Sequence, residues 1–237
     1  GSPLPYAKLS IAHIGLSLGG WVMLLIIGVS FQVVPMFQLT PNYPKWLANS
    51  LTPAVFIALL LSLLSLLLGP LPKWVAIIAQ SLFWFLAGSY AVATLWLQNK
   101  RRRRVADAAL SFFRTGMVAL LCAAPFALAT LLFPDIDHLA TLSALLFMLG
   151  FAMSLMHGML YKIVPFLVWF HLFRGGIKSG VPNMKQIIPE TWMWQHLRLH
   201  RGTLLAALFA PWWNAATWLV AFGLLLQGVL LGYALIT

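Results

Sequence analysis

The stretch Gly20-Trp21-Val22-Met23-Leu24-Leu25-Ile26-Ile27-Gly28-Val29-Ser30-Phe31-Gln32-Val33-Val34-Pro35 carries no charged side chain and is apolar almost throughout. Extended to its apolar limits, near Leu9 and Phe37, it is longer than the ~20 residues that cross a hydrocarbon core about 30 Å thick. It also lies, without gaps, on Gly150-Phe151-Ala152-Met153-Ser154-Leu155-Met156-His157-Gly158-Met159-Leu160-Tyr161-Lys162-Ile163-Val164-Pro165, 130 residues further on. Gly, Met, Leu, Gly, Val and Pro recur at equivalent places. Apolar helices share leucine and glycine through composition alone, but the ordered Gly, Gly and Val-Pro pattern marks a duplication. The offset holds four helices, so both copies run in the same direction, unlike the inverted repeats of many transporters.

Further apolar runs stand near Pro53 to Leu68, Lys73 to Gln98, Ala106 to Phe133, His138 to Phe173 and Thr203 to Ile236, separated by polar or Pro/Gly punctuation. The fold these predict is all-α: a polytopic membrane bundle of about six transmembrane helices with a four-helix parallel internal repeat, one transmembrane domain over residues 1–237. Pro35 and Pro165 are expected to bend or end their helices. Gly1 and Ser2 read as a cloning remnant. Composition agrees, since 62% of residues are hydrophobic and only 8% charged, against roughly a quarter charged in soluble domains.

The net charge of +11 does not point to nucleic acid, because the basic residues sit in loops and form no basic aromatic face. It reports orientation. The run Lys100, Arg101, Arg102, Arg103 and Arg104 is expected on the cytoplasmic side. Alternation then puts Arg174, Lys178, Lys185, Arg198 and Arg201 on that side too, and leaves Asp135 and Asp137 outside with Lys8 and Lys73. The expected location is a bacterial inner membrane with loops 99–105 and 174–202 cytoplasmic, the lipid bilayer being the first partner. The single Cys122 supports neither a disulfide framework nor a multi-cysteine metal site, and reads as packing.

The segment from Pro189 to Arg201 mixes Trp192 and Trp194 with basic residues, which predicts an interfacial helix at the cytoplasmic headgroups, residues 189–201. His196 and His200, four apart, share a face of it. In such a helix they read as interfacial side chains more readily than as metal ligands, since no third ligand is evident in sequence.

Ionisable groups within the apolar helices are functional candidates by default. His157 and Tyr161 share a face and Lys162 follows, so the three form either a polar cavity suited to a transporter or permease for a small solute or metal, or an interhelical hydrogen bond beside a snorkelling lysine. His13 reads as a ligand or as a headgroup-level histidine; His157 lies ~20 Å deeper than the position equivalent to it. His138 and His171 stand beside charged boundaries. Asp135, Asp137 and His138 are a weak cation motif.

The pattern His13, Gly20-Trp21-Val22, Gly28, Phe31, Val34-Pro35 resembles the tenth helix of the heme-copper oxidase superfamily, closest to the C-family oxidases and nitric oxide reductases. There a His-x-His pair precedes Gly-Trp-Val, a Gly, a Tyr and Val-Pro. The resemblance implies a heme- or metal-binding membrane protein of respiratory or nitric oxide metabolism, with heme held by His13 and copper a second cofactor, as in the similar NnrS-type membrane proteins. Gly15 stands where the family's second histidine would be, and Ser143 stands at the repeat position of His13. Missing ligands would then come from other helices or subunits. A non-catalytic assembly or scaffold role is the third reading, and whether the chain is an enzyme stays open.

Overall fold

A computed structural model describes residues 6–68, 71–102, 105, 107–174 and 184–236. Gly1, Ser2, Arg103, Arg104 and Lys178 lie outside the described residues, and Lys185 is described in its backbone alone. The elements are α1 (Tyr6–Gly15), a π-helical segment (Leu16–Val22), α2 (Met23–Gln38), α3 (Lys45–Leu67), α4 (Lys73–Asn99), α5 (Ala108–Leu132), α6 (Asp137–Leu145), a second π-helical segment (Leu146–Met153), α7 (Ser154–Arg174), α8 (Met184–Ile187), α9 (Glu190–Phe209) and α10 (Asn214–Ile236). Every described element is helical. Six helices are long and apolar enough to cross a membrane: Lys8–Gln38, Lys45–Leu67, Lys73–Asn99, Ala108–Leu132, Asp137–Arg174 and Asn214–Ala234. The chain is thus an all-α membrane protein, with lipid as the solvent of its apolar outer faces.

The duplication has a backbone signature. Both copies contain a stretch of π-helix, and the two stretches begin 130 residues apart, at Leu16 and at Leu146. A π turn is a rare departure from the α-helix, so its recurrence in register is stronger evidence of common origin than shared leucines. Pro35 and Pro165 lie inside α2 and α7, which continue to Gln38 and Arg174. Beyond Gln38, Leu39 takes the left-handed conformation at φ 53° and stops α2.

The contacts divide the chain into two compact units, each with one copy. Unit 1 comprises residues 1–104 and 120–140, and unit 2 residues 105–119 and 141–237. In unit 1, α3 packs along α4 and both meet the first copy. Three polar rungs tie α4 to α2 and the loop after it: Ser30 with Tyr90 at 2.7 Å, Tyr43 with Thr94 at 2.8 Å, and Gln98 Nε2 donating to Gln38 Oε1 at 3.0 Å. Such bonds join apolar helices where lipid provides no hydrophobic drive for association.

In unit 2, α9 and α10 form the matching helical hairpin. Two expectations are corrected here. The helix placed at residues 189–201 runs on to Phe209, and it buries His196, Leu197, His200, Thr203, Leu204 and Ala207 along one side. Nor does one helix run from Thr203 to Ile236. The chain breaks at 210–213, where Pro211 has no amide to donate to the helix, and α10 restarts at Asn214. On α10 the buried Ala216, Gly223 and Gln227 define a narrow inner face, while Trp218, Leu219, Phe222 and Leu225 point outward.

Candidate functional site

The site lies within unit 2 and is assembled from helix periodicity. Ser154, His157, Gly158 and Tyr161 recur at three- and four-residue steps, so one stripe of α7 is inward and partly polar. His196, His200 and Thr203 make the same stripe on α9, and Gly223 and Gln227 on α10. Two glycines allow the approach. A β-carbon on Gly158 would lie 3.0 Å from the Ala109 carbonyl oxygen and 3.1 Å from Phe112 Cβ, and one on Gly223 would collide with the Thr203 hydroxyl.

Three imidazoles meet there. The His157 ring is 4.5 Å from that of His196 and 5.4 Å from that of His200, centroid to centroid, with the wholly buried Phe112 ring 5.4–5.7 Å from all three. Tyr161 Oη lies 2.6 Å from His196 Nδ1, and Ser154 Oγ 2.7 Å from His200 Nε2.

The protonation of His200 follows from its neighbours. Gln227 Nε2 donates to Thr203 Oγ1 at 3.1 Å and to the Gly223 carbonyl at 3.2 Å, so its Oε1 is the acceptor 2.8 Å from His200 Nδ1. Nδ1 therefore carries the proton, and in the neutral ring the Nε2 lone pair accepts the Ser154 hydroxyl. Thr203 in turn donates to the Leu199 carbonyl at 2.9 Å. His157 Nδ1 and His196 Nε2 differ from these: both are buried and neither has a hydrogen-bond partner. A buried unsatisfied polar atom costs about 1–3 kcal/mol. Two of them sit on facing rings.

Cations of the borderline-soft transition series bind such nitrogens. Among the described residues no group of three or more His, Cys, Asp or Glu side chains forms a ready metal site. The unpartnered nitrogens are a pair, and Nε2 of the third ring, His200, is engaged by Ser154.

Of the sequence candidates, His157 and Tyr161 are brought together with His196. Lys162 goes elsewhere: its ammonium donates at 2.6 Å to Asp107 Oδ2, while Asp107 Oδ1 accepts from the Ala109 amide at 2.9 Å and so caps α5. His13 is exposed on α1 in unit 1, and Gly15 faces Leu63. Ser143 is buried on α6. His196 and His200, expected as interfacial side chains, are buried at 0% and 1% exposure. Cys122, read as packing, is exposed. Ser154, Gln227 and Asp107 were not legible as site residues, although a lone polar residue in an apolar helix is itself a signal. The chain matches no protein-family model, no curated protein and no solved structure.

Proposed function

We propose that this chain is a metal-binding integral membrane protein related to the heme-copper oxidases, and that unit 2 takes up a copper ion between His157 and His196. The observation that carries this reading is the pair of buried, unpartnered imidazole nitrogens on rings 4.5 Å apart. Copper(I) accepts few ligands and favours soft or imidazole donors, which fits a site with two open nitrogens. Bound copper supplies one-electron chemistry.

The chain's own groups prepare the site. With His196 Nδ1–H donating to Tyr161 Oη, the ring keeps an Nε2 lone pair free for a metal ion, the arrangement by which metal-binding histidines are held from behind. Gln227 fixes His200 in the tautomer whose Nε2 can serve as a third donor once Ser154 rotates away. The wholly buried Phe112 ring packs against all three imidazoles. Ancestry within the heme-copper oxidases is supported by the His13 to Pro35 pattern and by the duplicated outline. Heme at His13 remains a separable part of the proposal.

Anaerobic titration of the purified chain with copper(I) against a chromophoric chelator tests the reading. The expected result is one tightly held ion per chain, lost in His157→Ala and in His196→Ala. Unchanged uptake in both variants sinks it. A Soret band from heme-replete cells that disappears in His13→Ala supports the heme part, and a colourless protein removes it.

A further inference from the structure

The inner stripe of α9 begins before its histidines. Met193, in the first turn of the helix, precedes His196 by one helical step and His200 by two, and so lies on the same face. Three residues advance a helix by about 4.5 Å, which puts Met193 beside His196 on the side nearer the start of α9. Met193 is partly buried and packs against the group formed by Ala109, Phe112, Tyr161, Ile188 and Leu197. Two of that group already touch the site: the Phe112 ring lies 5.4 Å from that of His196, and Tyr161 Oη lies 2.6 Å from His196 Nδ1. Of the partly buried residues packed on the same group, Ile187, Trp194, Leu231 and Ala234 offer no metal donor, whereas Met193 brings a sulfur.

In the other direction the stripe is closed. His200, Thr203 and Gln227 are hydrogen-bonded among themselves, and His200 Nε2 is engaged with Ser154. His196 is wholly buried and its Nε2 has no partner, so an ion must pass a neighbour to reach that nitrogen. We propose that Met193 is the entry ligand for copper(I), its thioether taking the ion at the partly open end of the stripe and handing it to His196 Nε2. The inference rests on the reading of His157 and His196 as the copper site. Thioethers select copper(I) among the ions that imidazole also binds. Met193 can swing its sulfur about three rotatable bonds without moving the helix. The exchange balances without another reagent. One sulfur–copper bond is replaced by one nitrogen–copper bond, the metal stays in the +1 state, and neither the thioether nor Nε2 of a ring protonated at Nδ1 has a proton to release.

Stopped-flow transfer of copper(I) from a chromophoric chelator to the full chain in nanodiscs separates entry from holding. Met193→Leu preserves size and apolar character. Stoichiometry and affinity are expected to stay at wild-type values while loading and chelator-driven removal both slow by at least about tenfold, which is about 1.4 kcal/mol on the barrier. Met193→Ala distinguishes donation from packing: truncating a plug admits copper faster, whereas truncating a ligand slows loading as leucine does. Met156→Leu removes a thioether that is 59% exposed on α7, and it should load at the wild-type rate. Wild-type loading in Met193→Leu, or faster loading in Met193→Ala, overturns the proposal and leaves the copper site standing. So does a weaker affinity in Met193→Leu with an unchanged loading rate, which would make Met193 a resident ligand. Copper uptake that is indifferent to His157→Ala and His196→Ala removes the underlying site, and this proposal with it.

Discussion

Replacing Gln227 by leucine tests the organisation of the histidine cluster. The side chain is fully buried, and its loss removes three bonds: His200 Nδ1–H to Oε1, and Nε2 to Thr203 and to the Gly223 carbonyl. Leucine fills a similar volume, so no cavity term is expected. The main cost is a His200 Nδ1–H left without an acceptor, about 1–3 kcal/mol by itself. Interhelical hydrogen bonds in membranes average less, about 0.6 kcal/mol, because the unfolded helices also find partners. A loss near 1–2 kcal/mol therefore follows, read as the shift in an SDS or thermal unfolding curve. Freed of its tether, His200 can swap tautomers, and disturbing a residue that orients a metal ligand weakens binding about 10- to 100-fold. Gln227→Glu separates the two effects, since its carboxylate still accepts from Nδ1 but cannot donate to Thr203 or Gly223. Copper affinity should recover while stability does not. If Gln227→Leu leaves both the unfolding curve and the imidazole nitrogen shifts of His200 unchanged, the hydrogen-bond assignment is wrong.

The two copies predict opposite responses at equivalent glycines. Gly158→Ala meets the Ala109 carbonyl and Phe112 and should cost about 1–3 kcal/mol in the same unfolding assay, whereas Gly28→Ala has open space and should be neutral or slightly stabilising. Asp107→Asn retains an oxygen to cap α5 but loses the ion pair with Lys162; Asp107→Ala loses both and should be the less stable of the two by about 1 kcal/mol. The 20 residues of α9 span about 30 Å. If α9 crosses the bilayer as α3 does in the first copy, there are seven crossings, and a reporter fused after Thr237 reads the same side as one placed in the 99–105 loop. Opposite sides would assign α9 to the surface.

The membrane class, five of the six long apolar helices and the duplication were legible because each is local: length, hydropathy and ordered glycines need no tertiary knowledge. The cluster was not. His196 and His200 visibly share a face, but that this face is the buried one depends on α10 packing against α9, while the exposed Arg198 and Arg201 gave the segment the look of a headgroup helix. The break at Ala210-Pro211-Trp212-Trp213 was hidden by hydropathy that stays high through it, although Pro211 and Asn214 were available as stop and start signals. Lys162 was read with its sequence neighbours, and its partner Asp107 lies 55 positions away.

The π-helical segments also act as phase adjusters. A π turn holds one residue more than an α turn closes on, so the face presented beyond it is rotated by about 100° relative to an uninterrupted helix. Ser143 and His157 therefore cannot be placed on one wheel by counting, and neither can His13 and Gly28. Deleting a single residue within Leu146–Met153 would restore the α-helix and, with α6 anchored, swing His157 and Tyr161 away from His196 without altering any side chain of the cluster. Both copies carry the π-helical segment at the same repeat position, so each is turned by the same step. The inward stripe of α7, with His157 and Tyr161, thus takes its orientation from the segment that precedes it.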